Sequence, residues 1–102
     1  SATEERAPQY AMIFSNSPNP FNADTEITFF LDHEQPELVI VDIYNTKGQL
    51  VRTLFEGKLG IGFHQLVWEG DNDSGVDVSS GIYLCRLHTQ KVTLFHKMTL
   101  LK

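Results

Sequence analysis

The nineteen residues ELVIVDIYNTKGQLVRTLF, residues 37–55, decide the fold class. Val39, Val41 and Ile43 alternate with Ile40, Asp42 and Tyr44. A period of two puts the first set on one face of a strand and the second on the other. Asn45-Thr46-Lys47-Gly48 then supplies turn chemistry, with glycine where a positive φ is needed, so residues 49–55 are predicted to return antiparallel. Residues 37–44 are the best candidate for a central strand, since the inward set is β-branched throughout.

The same two-residue period recurs on both sides. Residues 25–31 place Ile27, Phe29 and Leu31 on one face and Thr28 and Phe30 on the other, and residues 32–36 end that strand at Pro36. Downstream, a glycine-rich connection at Gly57, Gly60 and Gly62 is expected to lead into residues 63–69, where His64, Leu66 and Trp68 share a face. The polar residues 70–75 form a loop. Residues 81–89 make another strand, and Gln90-Lys91 turns the chain into residues 92–101. A weaker strand is expected within residues 10–15, where Tyr10, Met12 and Phe14 alternate, while residues 1–9 read as a linker. No helix of convincing length appears. About seven short strands with turn signals every ten residues or so predict an all-β, immunoglobulin-like β-sandwich of about seven antiparallel strands.

Tyr83 stands two residues before Cys85 near a strand start, the arrangement of a tyrosine corner, and Trp68 can supply the large buried aromatic of such a sandwich. The single cysteine excludes an internal disulfide, so apolar burial has to hold the fold. A length of 102 residues, 41% of them hydrophobic and 21% charged, suits one compact core. The net charge of −5, with eight scattered Lys and Arg, argues against a nucleic-acid partner. No apolar run is long enough to span a bilayer, and the acidic start SATEERA lacks the features of a signal peptide.

Motifs for chemistry are sparse. His33, His64, His88 and His96 lack ligand spacing, and no nucleophile elbow, phosphate loop or dinucleotide fingerprint is present. The chain is expected not to be an enzyme and to need no cofactor. A turn at Gln90-Lys91 sets Cys85 nearly opposite His96, a pairing known among nucleophiles, although a cysteine within a strand is more often a small core residue. Asp71, Asp73 and Asp77 crowd one loop and are weak candidates for Ca²⁺. The fifth and twelfth positions from Asp71 are Gly75 and Ile82, which departs from an EF-hand and favours a plain turn. Phe30 and Tyr44 are candidates for an exposed aromatic platform that a sugar-binding module would need.

Several short motifs occur in order: residues 16–22, from Asn16 through the core Pro18-Asn19-Pro20-Phe21-Asn22, then Ile43-Tyr44-Asn45-x-x-Gly48, Gly62-x-His64, Trp68-x-Gly70-x-x-Asp73-x-Gly75, Ser80-Gly81-x-Tyr83 and Lys97-Met98. From about residue 10 to Lys102 this series resembles the C-terminal sorting domain of type IX secretion. It is similar as well to the immunoglobulin-like domain of the flagellar hook-capping protein. The resemblance implies a domain behind an N-terminal passenger, carried through the periplasm to the cell surface or medium and read by outer-membrane secretion machinery. A sortase-like protease would cut near the linker, where Ser1, Ala2 and Ala7 are the small residues. Because the family's signal lies in its last strands, the recognition candidates are Gly81, Tyr83, Lys97, Met98, Leu100 and Lys102. Of these, Lys97 and Lys102 are the better contacts, and Met98 and Leu100 are expected in the core. The alternative is a structural module, of hook-cap type or accessory to a carbohydrate-active enzyme.

Overall fold

The computed structural model describes residues 11–102, with backbone alone for residues 12–14. Seven strands follow in order: β1 (Ala11–Ser17), β2 (Thr25–Leu31), β3 (Glu37–Asn45), β4 (Leu50–Leu59), β5 (Gly62–Trp68), β6 (Gly81–His88) and β7 (Thr93–Leu100). They form two antiparallel sheets, one ordered β1-β2-β5 and the other β4-β3-β6-β7. This is the immunoglobulin-like sandwich predicted by the alternating pattern. The linker assigned to residues 1–9, its small residues and Tyr10 lie outside the described residues.

The core is the sum of the inward sets. Ile27, Phe29 and Leu31 from β2 face Val39, Val41 and Ile43 from β3, and Tyr83, Cys85, Leu87, Met98 and Leu100 complete the layer. Trp68, fully buried, meets Phe21 and Tyr83 in tilted and edge-on contacts with ring centroids 5.4 and 5.1 Å apart. Its indole N–H donates to the Asp71 carbonyl at 2.9 Å, so the ring is buried without an orphaned donor. The Tyr83 hydroxyl donates to the Ser79 carbonyl at 2.7 Å, which is the bond a tyrosine corner requires.

The β3–β4 turn forms as its residues dictate. Gly48 has φ +82° and donates to the Asn45 carbonyl, while the Asn45 side-chain oxygen accepts from the backbone of Lys47 and Gln49. One local expectation needs correction. The glycine-rich connection does not begin at Gly57. That residue pairs with Val39 inside β4, where the Phe55 ring covers it so closely that an added Cβ would sit 3.1 Å from the ring. Asp42 points outward as its parity demands, yet it is buried, because Arg86 on the neighbouring strand folds over it.

The registers give the sandwich two distinct ends. The start of β1 and the β2–β3, β4–β5 and β6–β7 connections lie at one end. The segment after β1, the β3–β4 turn, the loop after β5 and the end of β7 lie at the other. β1 therefore starts at one end and β7 stops at the opposite one.

Candidate functional site

The second end is built around Pro18-Asn19-Pro20-Phe21-Asn22, in which both X-Pro bonds are cis. This segment grips the last strand. The Phe21 N–H donates to the Thr99 carbonyl at 2.9 Å, and the Leu101 N–H donates to the Phe21 carbonyl at 2.8 Å, a parallel bridge across about eighty residues of chain. Asn19 accepts from the Thr99 N–H at 3.0 Å, and the Asn22 amide donates to the Leu101 carbonyl at 3.2 Å. Beneath them the Phe21 ring is buried against Trp68. The motif thus supplies both an apolar anchor and a set of polar brackets for the chain terminus.

A buried polar chain ties this grip to the opposite sheet. The Thr25 hydroxyl donates to the Pro18 carbonyl at 2.8 Å, and the Asn16 amide donates to Thr25 at 3.1 Å and to the Pro18 carbonyl at 3.3 Å. His96 Nε2 meets the Asn16 side-chain oxygen at 2.7 Å, which joins β7 to β1. That oxygen can only accept, so His96 is the donor through Nε2–H. Burial pushes its pKa below the usual histidine value, in keeping with a neutral ring. Asn16 opens the motif read from the sequence and Thr25 begins a predicted strand, but the bonds they make were not legible there. Their partners lie in other strands, and no local pattern marks them.

The recognition candidates divide into two groups. Met98 and Leu100 are sealed in the core, as expected, and Tyr83 is buried with its hydroxyl bound, so none of the three offers an accessible side chain. Gly81 is half-buried where β6 begins. Lys97 and Lys102 are exposed, on different surfaces. Lys97 projects from the outer face of the four-stranded sheet, opposite Leu84 in register. Lys102 borders a cleft of about 540 Å³ beside Asn22, Asp24, Glu69 and Asp77, and its backbone N–H donates to the Ser80 hydroxyl. The surface around residues 99–102 is therefore one of mixed charge, held by bonds to residues 19–22 and to Ser80.

The acidic loop is a turn with its own cation. Arg52 pairs with Asp71 at 2.8 Å and lies 3.9 Å from Asp73, whose other contact is the Thr53 N–H. Asp77 joins Asp71 by a backbone bridge. Among the described residues no three His, Cys, Asp or Glu side chains converge to hold a metal ion, and Asp71 and Asp73 are turned towards Arg52. Gly70 closes this loop with φ +70°, and a side chain there would press on the Ala23 carbonyl at 3.3 Å.

Cys85 does lie opposite His96 in register. The thiol is fully buried, however, and burial pushes its pKa up to about 12, so it stays protonated at neutral pH, while the His96 ring is turned to Asn16. A protonated thiol is a poor nucleophile. Phe30 and Tyr44 do not share a platform, because they stand on the outer faces of opposite sheets. Phe30 packs edge-on against Phe63 with ring centroids 5.0 Å apart, and Tyr44 carries the Arg86 guanidinium 5.3 Å from its ring centre. Arg86 makes a two-bond fork to Asp42 at 2.8 and 2.9 Å. The bonds to Asp42 raise the Arg86 pKa, and burial followed by the Asp42 charge raises that of Tyr44. Opposite charges at outward positions of β3 and β6 were visible in the sequence, but their pairing needs the register of two non-consecutive strands.

A family model for the FlgD Ig-like domain matches residues 15–91. No curated protein matches the chain. Among solved structures, dimeric latent PorU from Porphyromonas gingivalis superimposes with a TM-score of 0.72 at 23% identity, covering 94% of this chain and 10% of that one. PorZ of the same bacterium, an essential surface component of its type-IX secretion system, gives a TM-score of 0.56 at 18% identity, over 88% of this chain and 11% of that one. The alkylpurine DNA glycosylase AlkC of Pseudomonas fluorescens gives 0.50 at 17% identity, over 91% of this chain and 31% of that one. The chain spans about a tenth of the length of the two Porphyromonas proteins. At these identities the likeness establishes the fold.

Proposed function

This chain belongs to the FlgD Ig-like domain family, and on that footing we propose that it is a sorting domain of type IX secretion. In this reading it is a folded, non-catalytic address that takes an N-terminal passenger from the periplasm across the outer membrane to the surface or medium. Outer-membrane secretion machinery reads the carboxyl-terminal tip, and a sortase-like protease separates the domain from its passenger. The observation that carries the reading is the grip of residues 18–22 on residues 99–101, which fixes the tip with Lys102 on its rim as one rigid surface. A fixed surface suits recognition, because little ordering entropy remains to be lost on binding. The likeness to PorZ, a type-IX secretion component, supports the same direction.

The test is export of a periplasmic reporter fused ahead of this chain in a type IX secretion-competent bacterium. Deleting residues 97–102 is a poor control, since it removes Met98 and Leu100 from the core. The informative variants are Lys102→Glu and Lys97→Glu, which alter exposed charges and leave the fold intact. Export of the parent fusion with retention of a folded Lys102→Glu fusion is expected. If the parent fusion stays periplasmic while folded, the chain is instead a structural module of hook-cap type, a reading the family match supports in part.

A further inference from the structure

The sandwich has four strand edges, and three of them carry a feature that discourages pairing with another chain. β4 bears Arg52, Glu56 and Lys58 and is bulged twice against β3. β7 bears Lys97, and its last residues are already bonded by the backbone of Phe21. β1 is bulged between Ile13 and Ser15 and is tied to β7 through Asn16 and His96. Charges, bulges and covering segments are the usual means of blunting an edge.

Among the described residues β5 has none of these. Gly62–Trp68 contains no Asp, Glu, Lys, Arg or Pro, pairs with β2 in an unbroken seven-residue register, and is flanked on its far side by no strand among the described residues. Its outward residues Phe63 and Val67 are 68% and 52% exposed, and the Phe63 ring is braced by Phe30.

From this contrast we infer that β5 is the interface through which two copies of this chain pair, antiparallel about a two-fold axis at Gln65. The strand is self-complementary in that arrangement. With Gln65 opposite its own copy, Phe63 faces Val67 of the second copy and Val67 faces Phe63, while His64 and Leu66 pair on the inner side. This is the one antiparallel register that uses all seven residues. An aromatic residue opposite a β-branched one is a favourable cross-strand pair, and no like charges are brought opposite each other. The two three-stranded sheets become one continuous sheet, an isologous contact that closes at the dimer. The inference stands apart from the sorting proposal, since it rests on β5 and not on the carboxyl-terminal tip.

Sedimentation equilibrium of the whole chain over a concentration series tests it, together with Gln65→Lys and Gln65→Glu, whose folding is checked by thermal melts. The parent chain is expected to dimerise. Each variant alone is expected to dimerise about five-fold more weakly, because like charges meet on the axis. An equimolar mixture of the two is expected to recover association at least to the parent level. A parent chain that stays monomeric up to millimolar concentration overturns the inference. So does a dimer that the single variants leave unchanged, or a mixture that behaves as the average of its components.

Discussion

Replacing Phe21 with Ala tests whether residues 18–22 hold the end of the chain. The ring is 2% exposed and lies against Trp68. Its burial is worth about 2–3 kcal/mol, and the aromatic contact adds about 1 kcal/mol. A loss of about 3–4 kcal/mol is therefore expected, within the usual range for a buried phenylalanine. At about 5 °C per kcal/mol for a domain of this size, the melting temperature should fall by roughly 15–20 °C. Trp68, the sole tryptophan, is the partner of the removed ring, so its fluorescence during urea unfolding reports directly on the site. The backbone bonds to Thr99 and Leu101 do not involve the side chain and remain available. A loss below about 1 kcal/mol would refute the reasoning, since the motif would then be held by its polar brackets alone. At a temperature where the variant is still folded, its reporter fusion should be exported like the parent, which separates holding the tip from presenting its charge.

Asp42→Ala should cost about 3 kcal/mol in urea unfolding, because it strands the Arg86 guanidinium, only 25% exposed, beside Tyr44. Cys85 should be inert to thiol reagents at pH 8 in the folded protein and react on unfolding. Its folded pKa of about 12 lies above the ordinary 9.0, so its stabilising contribution is complete below pH 9 and is lost as pH rises towards 12, seen as a falling urea midpoint. His96 has the opposite sign: its folded pKa lies below the ordinary 6.5, so its contribution is present above pH 6.5 and is lost as pH falls through the folded value. His96→Gln should flatten that acid-side slope in melting temperature, and an unchanged slope would assign it to other groups.

The sandwich was legible wherever local chemistry alone decides the structure. The inward triplets of β2 and β3 alternate without a break, and Asn45 and Gly48 specify their turn within four residues. Gly57 misled because glycine usually marks a break in a strand. Here Phe55, two residues earlier, lays its ring over the gap and lets the strand continue. Most of the candidate site depends on partners far apart in the chain. The rigidity of residues 18–22 was readable from two prolines, but their bonds to residues 99 and 101 span the whole domain. The parity of β3 places Asp42 on the correct face but does not show its burial, because burial of an outward carboxylate depends on which arginine the neighbouring strand brings beside it.

The opposite positions of the entry and the finish have a mechanical consequence. β1 and β7 run in the same direction, so a pull at Ala11 and a counter-pull at Lys102 load each strand along its length. Antiparallel ladder bonds lie across the strands. Tension applied in that way is shared by every rung between β1 and β2 and between β6 and β7 at once, and does not open them one after another. The bonds from residues 19–22 cross the last point at which β7 could peel away. A domain stretched between Ala11 and Lys102 is thus loaded along its most resistant axis and resists the pull while still folded.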